Sequence, residues 1–550
     1  MKKRPHIIIF NPDQMQNAAL AHMGENPAAQ TPFLDSLANS EAVSYRNAFC
    51  QNPVCVPSRC SFLTGLYPHV NGHRTMNHML HSHESSILKE LKENGYYVWM
   101  NARNDFLPGQ EEGSFEAHAD ETFYGGNVPP APGPVISNMR GEPGSKHYYS
   151  HYLGTMQTDV SGIRYSNDDE IVDAAVHRVK NPVDDRPLCM FIGLINPHPD
   201  YGVEEPYFSA IDRMKLPERV KERAPGSFEP KIEAMIRQRQ GLENFTEEDW
   251  DELRACYLGM CLKVDALFEK FCDGLKEAGI YDDCAIFFFS DHGDYQGQFG
   301  LSEKNQNTFY EGLVRVPFLI KPPKGYDIDP GVNDNIVELI DFYATAMSMA
   351  GVTPDHTHFG IDLTDSIADR NHKTREFACC EGGRLRNEIH CDESHEVGVF
   401  GIGPGNSYYP RVKSQEDPVA HTKATMLRTD KYKYVRRLYE EDQLYDIQND
   451  PGETRSLADD ESYASVLNEL RRKMLTWYQE TCDIVPFKLD SRFNYEMTWN
   501  RVKNICPPEN VEEVQELIRK GSKSMFEMIR YCTSLHNADK AGTDRRSTDE

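Results

Sequence analysis

The run Ala285-Ile286-Phe287-Phe288-Phe289, followed at once by Ser290-Asp291-His292-Gly293-Asp294, is the stretch on which the fold turns. Five uninterrupted apolar residues bounded by polar turn residues read as a strand buried on both faces. The segment before it, Trp250 to Leu275, repeats Leu253, Tyr257, Met260, Val264, Leu267 and Phe271 at helical spacing. The same alternation extends outward. Ile7–Phe10, Tyr96–Met100 and Leu188–Ile195 read as strands. Helices are expected after Thr31-Pro32, from Ser86 to Asn94, and from Ser166 through Val179, each with one apolar face. Strands alternating with helices on this scale predict an α/β fold with a large, mostly parallel central sheet flanked by helices.

Two Pro- and Gly-rich stretches interrupt the pattern, Gly125–Gly144 and Gly401–Pro410, and the second is read as a domain boundary. Beyond it, Ala424–Thr429 and Tyr432–Leu438 read as strands joined at Asp430-Lys431, and a helix carries Leu467, Leu470 and Met474. The expected organisation is a catalytic domain over 1–410, a smaller α+β subdomain over 411–485, a helical extension over 486–536 with a helix near Val511–Ile529, and a disordered polar tail over 537–550.

Composition restricts the partners. The 550 residues hold 59 Lys+Arg against 86 Asp+Glu, a formal charge of −27, which disfavours nucleic acid, anionic membranes and long polyanions. The 14 cysteines show no close-set disulfide framework, so reduced, buried thiols are expected. After Met1-Lys2-Lys3-Arg4 the apolar run is only Ile7 to Phe10, too short for an export signal, and no segment has the apolar length of a membrane span. A cytoplasmic protein is the expectation.

The densest chemical signal is Pro53-Val54-Cys55-Val56-Pro57-Ser58-Arg59, followed by Leu63-Thr64-Gly65. Cys55 lies where a loop passes into a helix, with Pro57 suited to the first turn. A helix N-terminus and a nearby guanidinium favour an anionic oxygen or a thiolate there. Taken alone, such a cysteine is more often a buried structural thiol.

Cys-x-Pro-Ser-Arg with the downstream Leu-Thr-Gly resembles the signature of the type I sulfatases, of the alkaline-phosphatase-like superfamily. In that family the cysteine is converted to Cα-formylglycine, whose hydrate is the nucleophile. The other landmarks follow in order over nearly the whole chain to about residue 480. Asp13-Gln14 after the first strand and Asp291-His292 after Ala285–Phe289 match the family's metal-binding loops. With Cys55 they imply a Ca²⁺ site, with Mg²⁺ or Mn²⁺ as alternatives, at the carboxyl ends of strands. Lys304 in Gly300-Leu301-Ser302-Glu303-Lys304 resembles the family's sulfate-contacting lysine, and His198 in Asn196-Pro197-His198-Pro199 the histidine near the leaving oxygen. Leu444-Tyr445-Asp446 with Asn449-Asp450-Pro451-Gly452-Glu453 resembles the family's C-terminal subdomain.

Two places depart from the pattern. Gln14 stands where many sulfatases have a second acid, and Ala102-Arg103-Asn104-Asp105 stands where the family commonly reads Gly-Lys-Trp-His. Arg103 can replace the lysine as an anion contact, its fork suiting two sulfate oxygens. Asp105 occupies the place of the histidine and offers a carboxylate base instead.

The resemblance implies in-line attack on sulfur by the formylglycine hydrate. Lys304, Arg103 and Arg59 would supply fixed positive charge, and His198 or Lys304 would protonate the leaving oxygen. It also implies a formylglycine-generating enzyme as a maturation partner. The expected substrate is a small sulfate ester, above all a sulfated mono- or oligosaccharide. Phosphonate or phosphate ester hydrolysis by the same site is the first alternative, and a non-catalytic relative binding sulfated sugars the second. Keeping Cys55, Arg59, Asp291, His292 and Lys304 together argues against a retired site. The loop Glu381–His395, with Arg384, Arg386, His390 and His395, either reads the substrate or is a solvated polar loop. Oligomeric state is not legible.

Overall fold

The computed structural model describes residues 4–128, 139–393, 402–487, 492–521 and 523–546. By compactness the chain divides into Met1–Ile484 and Val485–Glu550.

The first unit is built on an eight-stranded sheet of β1 (His6–Asn11), β2 (Val43–Phe49), β3 (Tyr97–Asn101), β4 (Glu121–Phe123), β6 (Leu188–Gly193), β8 (Cys284–Phe289), β9 (Phe318–Lys321) and β10 (Gly331–Glu338). Their order is β10-β2-β9-β8-β1-β6-β3-β4. Only β9 runs against its neighbours β2 and β8; all other pairs are parallel. A two-stranded ribbon joins β5 (Tyr152–Thr155) to β7 (Tyr201–Val203).

Period-two alternation explains why the central strands are apolar throughout. Ile7 and Ile9 face one core with Cys189, Phe191, Ala285, Phe287 and Phe289. Ile8 and Phe10 face the other with Met190, Ile192, Ile286 and Phe288. Both faces are covered. The helices Cys55–Thr64, Ile87–Glu93 and Ile340–Ala350 bury Phe62, Leu88 and Phe342 in the first core. The helices Pro32–Ser40, Asn167–Lys180 and Glu247–Glu277 bury Leu34, Val172 and Leu253 in the second. Each fully buried large apolar side chain contributes about 1.5–3 kcal/mol, so a sheet buried on both faces carries much of the fold's stability.

The helix starts follow local chemistry. Ser86 accepts from Lys89 N, and Ser166 and Thr246 form capping boxes with Asp169 and Asp249. Thr31 differs. Its hydroxyl donates to Asp35 and accepts from Ala21 N, while Asp265 accepts from Phe33 N and Leu34 N at 3.0 and 2.8 Å. The capping oxygen comes from a distant helix, which sequence spacing cannot show.

A second sheet, β11 (Phe377–Gly382), β12 (Ala424–Thr429), β13 (Tyr432–Arg437) and β14 (Gln443–Asp446), is antiparallel throughout. The helix Ala464–Thr481 packs Leu467, Leu470, Met474 and Trp477 against Cys379, Leu427, Tyr434 and Leu444. The chain is therefore α/β with a smaller C-terminal α+β part, although β11 comes from before residue 410 and both sheets lie in one compact unit.

In the second unit the stretch near Val511–Ile529 forms two helices, Val511–Arg519 and Met525–Arg546, with Gly521 between them at φ 62°. The second continues past Asn537, where the sequence reads as a tail. All described cysteines are free and all but Cys482 are buried. No helix among the described residues is long and apolar enough to cross a membrane.

Candidate active site

β1, β2, β3, β6 and β8 point the same way, so the segments that follow them meet on one edge of the sheet, where parallel sheets place ligands. Asp13 and Gln14 follow β1, Cys55 follows β2, Arg103 and Asp105 follow β3, His198 follows β6, and Asp291 and His292 follow β8. Polar side chains tie the strand ends together. Asn11 Nδ2 donates to Phe289 O at 2.7 Å, and Asn101 Nδ2 to Gly193 O at 3.0 Å. Gly293 is required by close packing, since a Cβ there would lie 2.0 Å from Gly312 O.

Cys55 opens the helix Cys55–Thr64, all of which is buried. Its Sγ lies 3.2 Å from His292 Nε2 and 3.6 Å from Asp13 Oδ1. His292 Nδ1 donates to Gly293 O, so the Nε2 lone pair faces Asp13 Oδ1 at 3.5 Å and Asp291 Oδ1 at 3.7 Å. One ligand atom from each of Asp13, Cys55, Asp291 and His292 falls within 4.8 Å of the others. Two carboxylates, a thiol and an imidazole lone pair converging in a buried space form a donor set suited to a divalent cation.

Arg59 holds the carboxylates apart. Its Nε donates to Asp291 Oδ2 at 2.8 Å, its Nη2 to Asp13 Oδ2 at 2.9 Å and its Nη1 to Asn104 O at 3.0 Å. Burial alone would push the Asp13 carboxyl up, but the Arg59 and Arg103 guanidiniums paired with it hold it well below the usual carboxylate range. Burial and the adjacent Asp13 push the Cys55 thiol up, so the unmodified side chain is a neutral thiol and a poor nucleophile.

Gln14, at φ 73°, turns its amide into the same space. Its Oε1 accepts from Lys304 Nζ and its Nε2 donates to Asp294 Oδ2 at 2.5 Å. Arg103 Nη2 reaches Asp13 Oδ2 at 3.1 Å, and its Nη1 donates to Leu194 O. Asp105 stands 3.5 Å from Arg103 and 3.8 Å from Arg59. His198 donates through Nδ1 to Pro199 O at 2.7 Å, which leaves the lone pair on Nε2. Burial and Lys304 lower the His198 pKa well below the ordinary range. The structure thus brings together Asp13, Gln14, Cys55, Arg59, Arg103, Asp105, His198, Asp291, His292 and Lys304.

Other groups at this edge are not legible from motif spacing. Asp294 is pushed up to about 6 by burial and accepts from Tyr201 Oη as well as Gln14. Glu303 pairs with Lys304 at 3.1 Å. The Asp294 signal was present in Asp291-His292-Gly293-Asp294; that of Glu303 lay only in its adjacency to Lys304.

In the loop Glu381–His395, read either as contacting the substrate or as a solvated polar loop, Arg386 and His390 are exposed and Arg384 is not. Arg384 is buried and clamped by Asp392, its Nη2 at 2.9 Å from Oδ2. Arg386 lies over the Tyr439 ring at 4.2 Å, and His390 packs edge-on to His78. All five Arg384 N–H groups are taken, by Asp392 and by the carbonyls of Leu385, Arg386 and Gln415, so it has none to spare for a ligand. His395 lies outside the described residues.

The sulfatase family model matches residues 5–352. Arylsulfatase K of Danio rerio is 24% identical over 481 residues, covering 83% of this chain and 80% of that protein. Two solved structures share the fold. The phosphonate monoester hydrolase of Agrobacterium radiobacter matches with TM-score 0.64 at 20% identity, over 87% of this chain and 96% of that one. A chain in complex with its substrate, D-glucosamine-2-N,6-O-disulfate, matches with TM-score 0.63 at 18% identity, over 87% and 98%. The match spans the strand ends that carry Asp13, Cys55, His198, Asp291 and Lys304, and the chain belongs to the sulfatase family, sulfuric ester hydrolases of the alkaline-phosphatase-like fold.

Proposed function

We propose that the chain hydrolyses the sulfate monoester of a small substrate, a sulfated mono- or oligosaccharide, using residue 55 as Cα-formylglycine beside a divalent cation. The observation that carries this reading is the approach of Cys55 Sγ to the Asp13, Asp291 and His292 donors within 4.8 Å, at a helix N-terminus inside the sheet's carboxyl edge. The sulfated glucosamine bound by the structural relative supports the substrate class.

Asp13, Asp291, His292, residue 55 and the Gln14 carbonyl oxygen would hold the cation, with Ca²⁺ favoured by the hard oxygen donors and Mg²⁺ or Mn²⁺ as alternatives. Bound there, it would supply Lewis-acid charge for the nucleophile and the sulfate oxygens. The aldehyde hydrate supplies what a thiol or serine hydroxyl lacks, a second geminal hydroxyl through which the site can reset after transfer.

The remaining work belongs to this chain's side chains. Arg59 fixes the two carboxylates through two donors and the Asn104 carbonyl through a third. Lys304 and Arg103 hold positive charge where sulfate oxygens bind, in a setting where little water competes. Lys304, which stays charged, is the proton donor to the leaving oxygen, and His198, its Nδ1 donating to Pro199 O, presents a neutral Nε2 as an acceptor beside it. Asp105, beside Arg103, is the carboxylate base that stands in for the family's histidine. Cys55 is 2% exposed within a buried helix, so the maturation enzyme reaches it only before the chain has folded.

Mass spectrometry of the peptide bearing Cys55 tests the assignment. Active protein should carry the aldehyde, and Cys55→Ala should have no turnover; a full complement of free thiol in active enzyme would exclude it. Rates on aryl sulfate and phenyl phosphonate esters then rank the two ester classes. Sulfate preference is expected, and faster phosphonate turnover would favour the other chemistry.

A further inference from the structure

Arg411 lies beyond the segment matched by the family model, at the start of the short helix Tyr409–Gln415. Its guanidinium is engaged on every side. Nη1 donates to both Glu303 oxygens at 2.8 Å, and Nε and Nη2 reach Glu393 Oε2 and Oε1 at 3.1 and 3.3 Å. The Tyr408 ring covers its face at 4.7 Å. Glu303 Oε1 is shared with Lys304 Nζ at 3.1 Å, and Lys304 Nζ in turn donates to Gln14 Oε1. The side chains of Glu303, Lys304 and Glu393 are all at most 5% exposed.

Charge counting gives this arrangement a consequence. Glu303 and Glu393 are two buried carboxylates beside one lysine. Were Arg411 absent, Lys304 would remain paired with Glu303 beside a second buried acid, Glu393, and its ammonium would be drawn toward the acids and its field cancelled. With Arg411 bridging the two acids, the four groups sum to zero while Lys304 keeps one face toward Gln14. Gln306 Nε2 and Gln415 Nε2 donate to Glu393 at 3.1 and 3.2 Å, which fixes the far end of the clamp.

We propose that Arg411 is a positioning residue for the sulfate site: by bridging Glu303 and Glu393 it offsets the excess negative charge beside Lys304 and keeps its ammonium aimed at the sulfate oxygens. This rests on the reading of Lys304 as a sulfate contact. It assigns a role in turnover to a segment outside the matched domain.

The test uses full-length, formylglycine-bearing enzyme and an activated aryl sulfate. Arg411→Met should lower kcat about 10- to 100-fold, as expected for a displaced catalytic group, while KM stays within about 3-fold. Arg411→Lys, which can reach one acid but not both, should recover part of kcat. The decisive measurement is the Lys304→Ala background, where adding Arg411→Met should cost less than about 2-fold because the two act through one ammonium. Multiplicative losses in the double variant would overturn the proposal, as would wild-type kcat in Arg411→Met. Should Arg411→Met fail to fold, Arg411→Lys measured in both backgrounds decides by the same criterion. Wild-type activity in Lys304→Ala would overturn the underlying reading as well; an impaired Lys304→Ala with an unimpaired Arg411→Met would overturn this inference alone.

Discussion

Arg59 shows how much one buried side chain can decide. Its three nitrogens serve Asp291, Asp13 and the Asn104 carbonyl, so its planar fork matters as much as its charge. Arg59→Lys keeps the charge but loses that geometry, and kcat/KM should fall by about 100-fold or more. Arg59→Leu leaves two buried carboxylates without their partner and should in addition lose about 3 kcal/mol in urea unfolding. Equal activity in Arg59→Lys and wild type would show that charge alone suffices. Motif reading found Arg59 because it lies four residues from Cys55 on the same helix. It could not find the three partners, which come from separate strand ends.

Helices and the loops that fasten them form the next level. The loop residue His356 donates through Nε2 to Thr64 O at the end of the Cys55–Thr64 helix. Its Nδ1 faces Asp355 at 3.0 Å and Glu90, on the helix Ile87–Glu93, at 3.2 Å. Burial opposes its charge, but Glu90, Thr64 and Asp355 outweigh burial and raise its pKa from 6.5 to about 9. The folded protein therefore binds this proton more tightly than the unfolded chain. The resulting stabilisation, on the order of 3 kcal/mol for such a shift, is complete below pH 6.5 and is lost as pH rises through about 9. Melting scans of wild type and His356→Gln should differ most in mildly acidic buffer and converge above pH 9. A gap that stays constant with pH would refute the assignment. The elements themselves were legible: β12 spans Ala424–Thr429 as read, and the long helix from Trp250 differs only at its ends. β2 and β10 were not read as strands, because Ser44, Asn333 and Asn335 break the apolar run with polar side chains that only the fold buries.

Over the whole molecule the charge of −27 acts against an anionic substrate at long range. The site gathers Arg59, Arg103 and Lys304 inside that acidic exterior, so attraction begins only at close approach. Raising ionic strength from about 0.01 to 0.15 M shortens the Debye length from about 30 to 8 Å. kcat/KM for a sulfated sugar should therefore rise with salt, more steeply as the number of sulfates on the substrate grows. A fall with salt would mean that the local cations dominate the approach and that extended polyanions are admissible substrates.

The sequence by itself determined the α/β class and named the candidate site residues that follow the parallel strands, because apolar period and motif order are local properties. Tertiary structure decided which charges face one another. Arg411, more than a hundred residues beyond Lys304 in the chain, joins it through Glu303, and Arg384 is clamped by Asp392. Such pairings depend on how loops from two sheets fold together, and spacing along the chain carries no record of them.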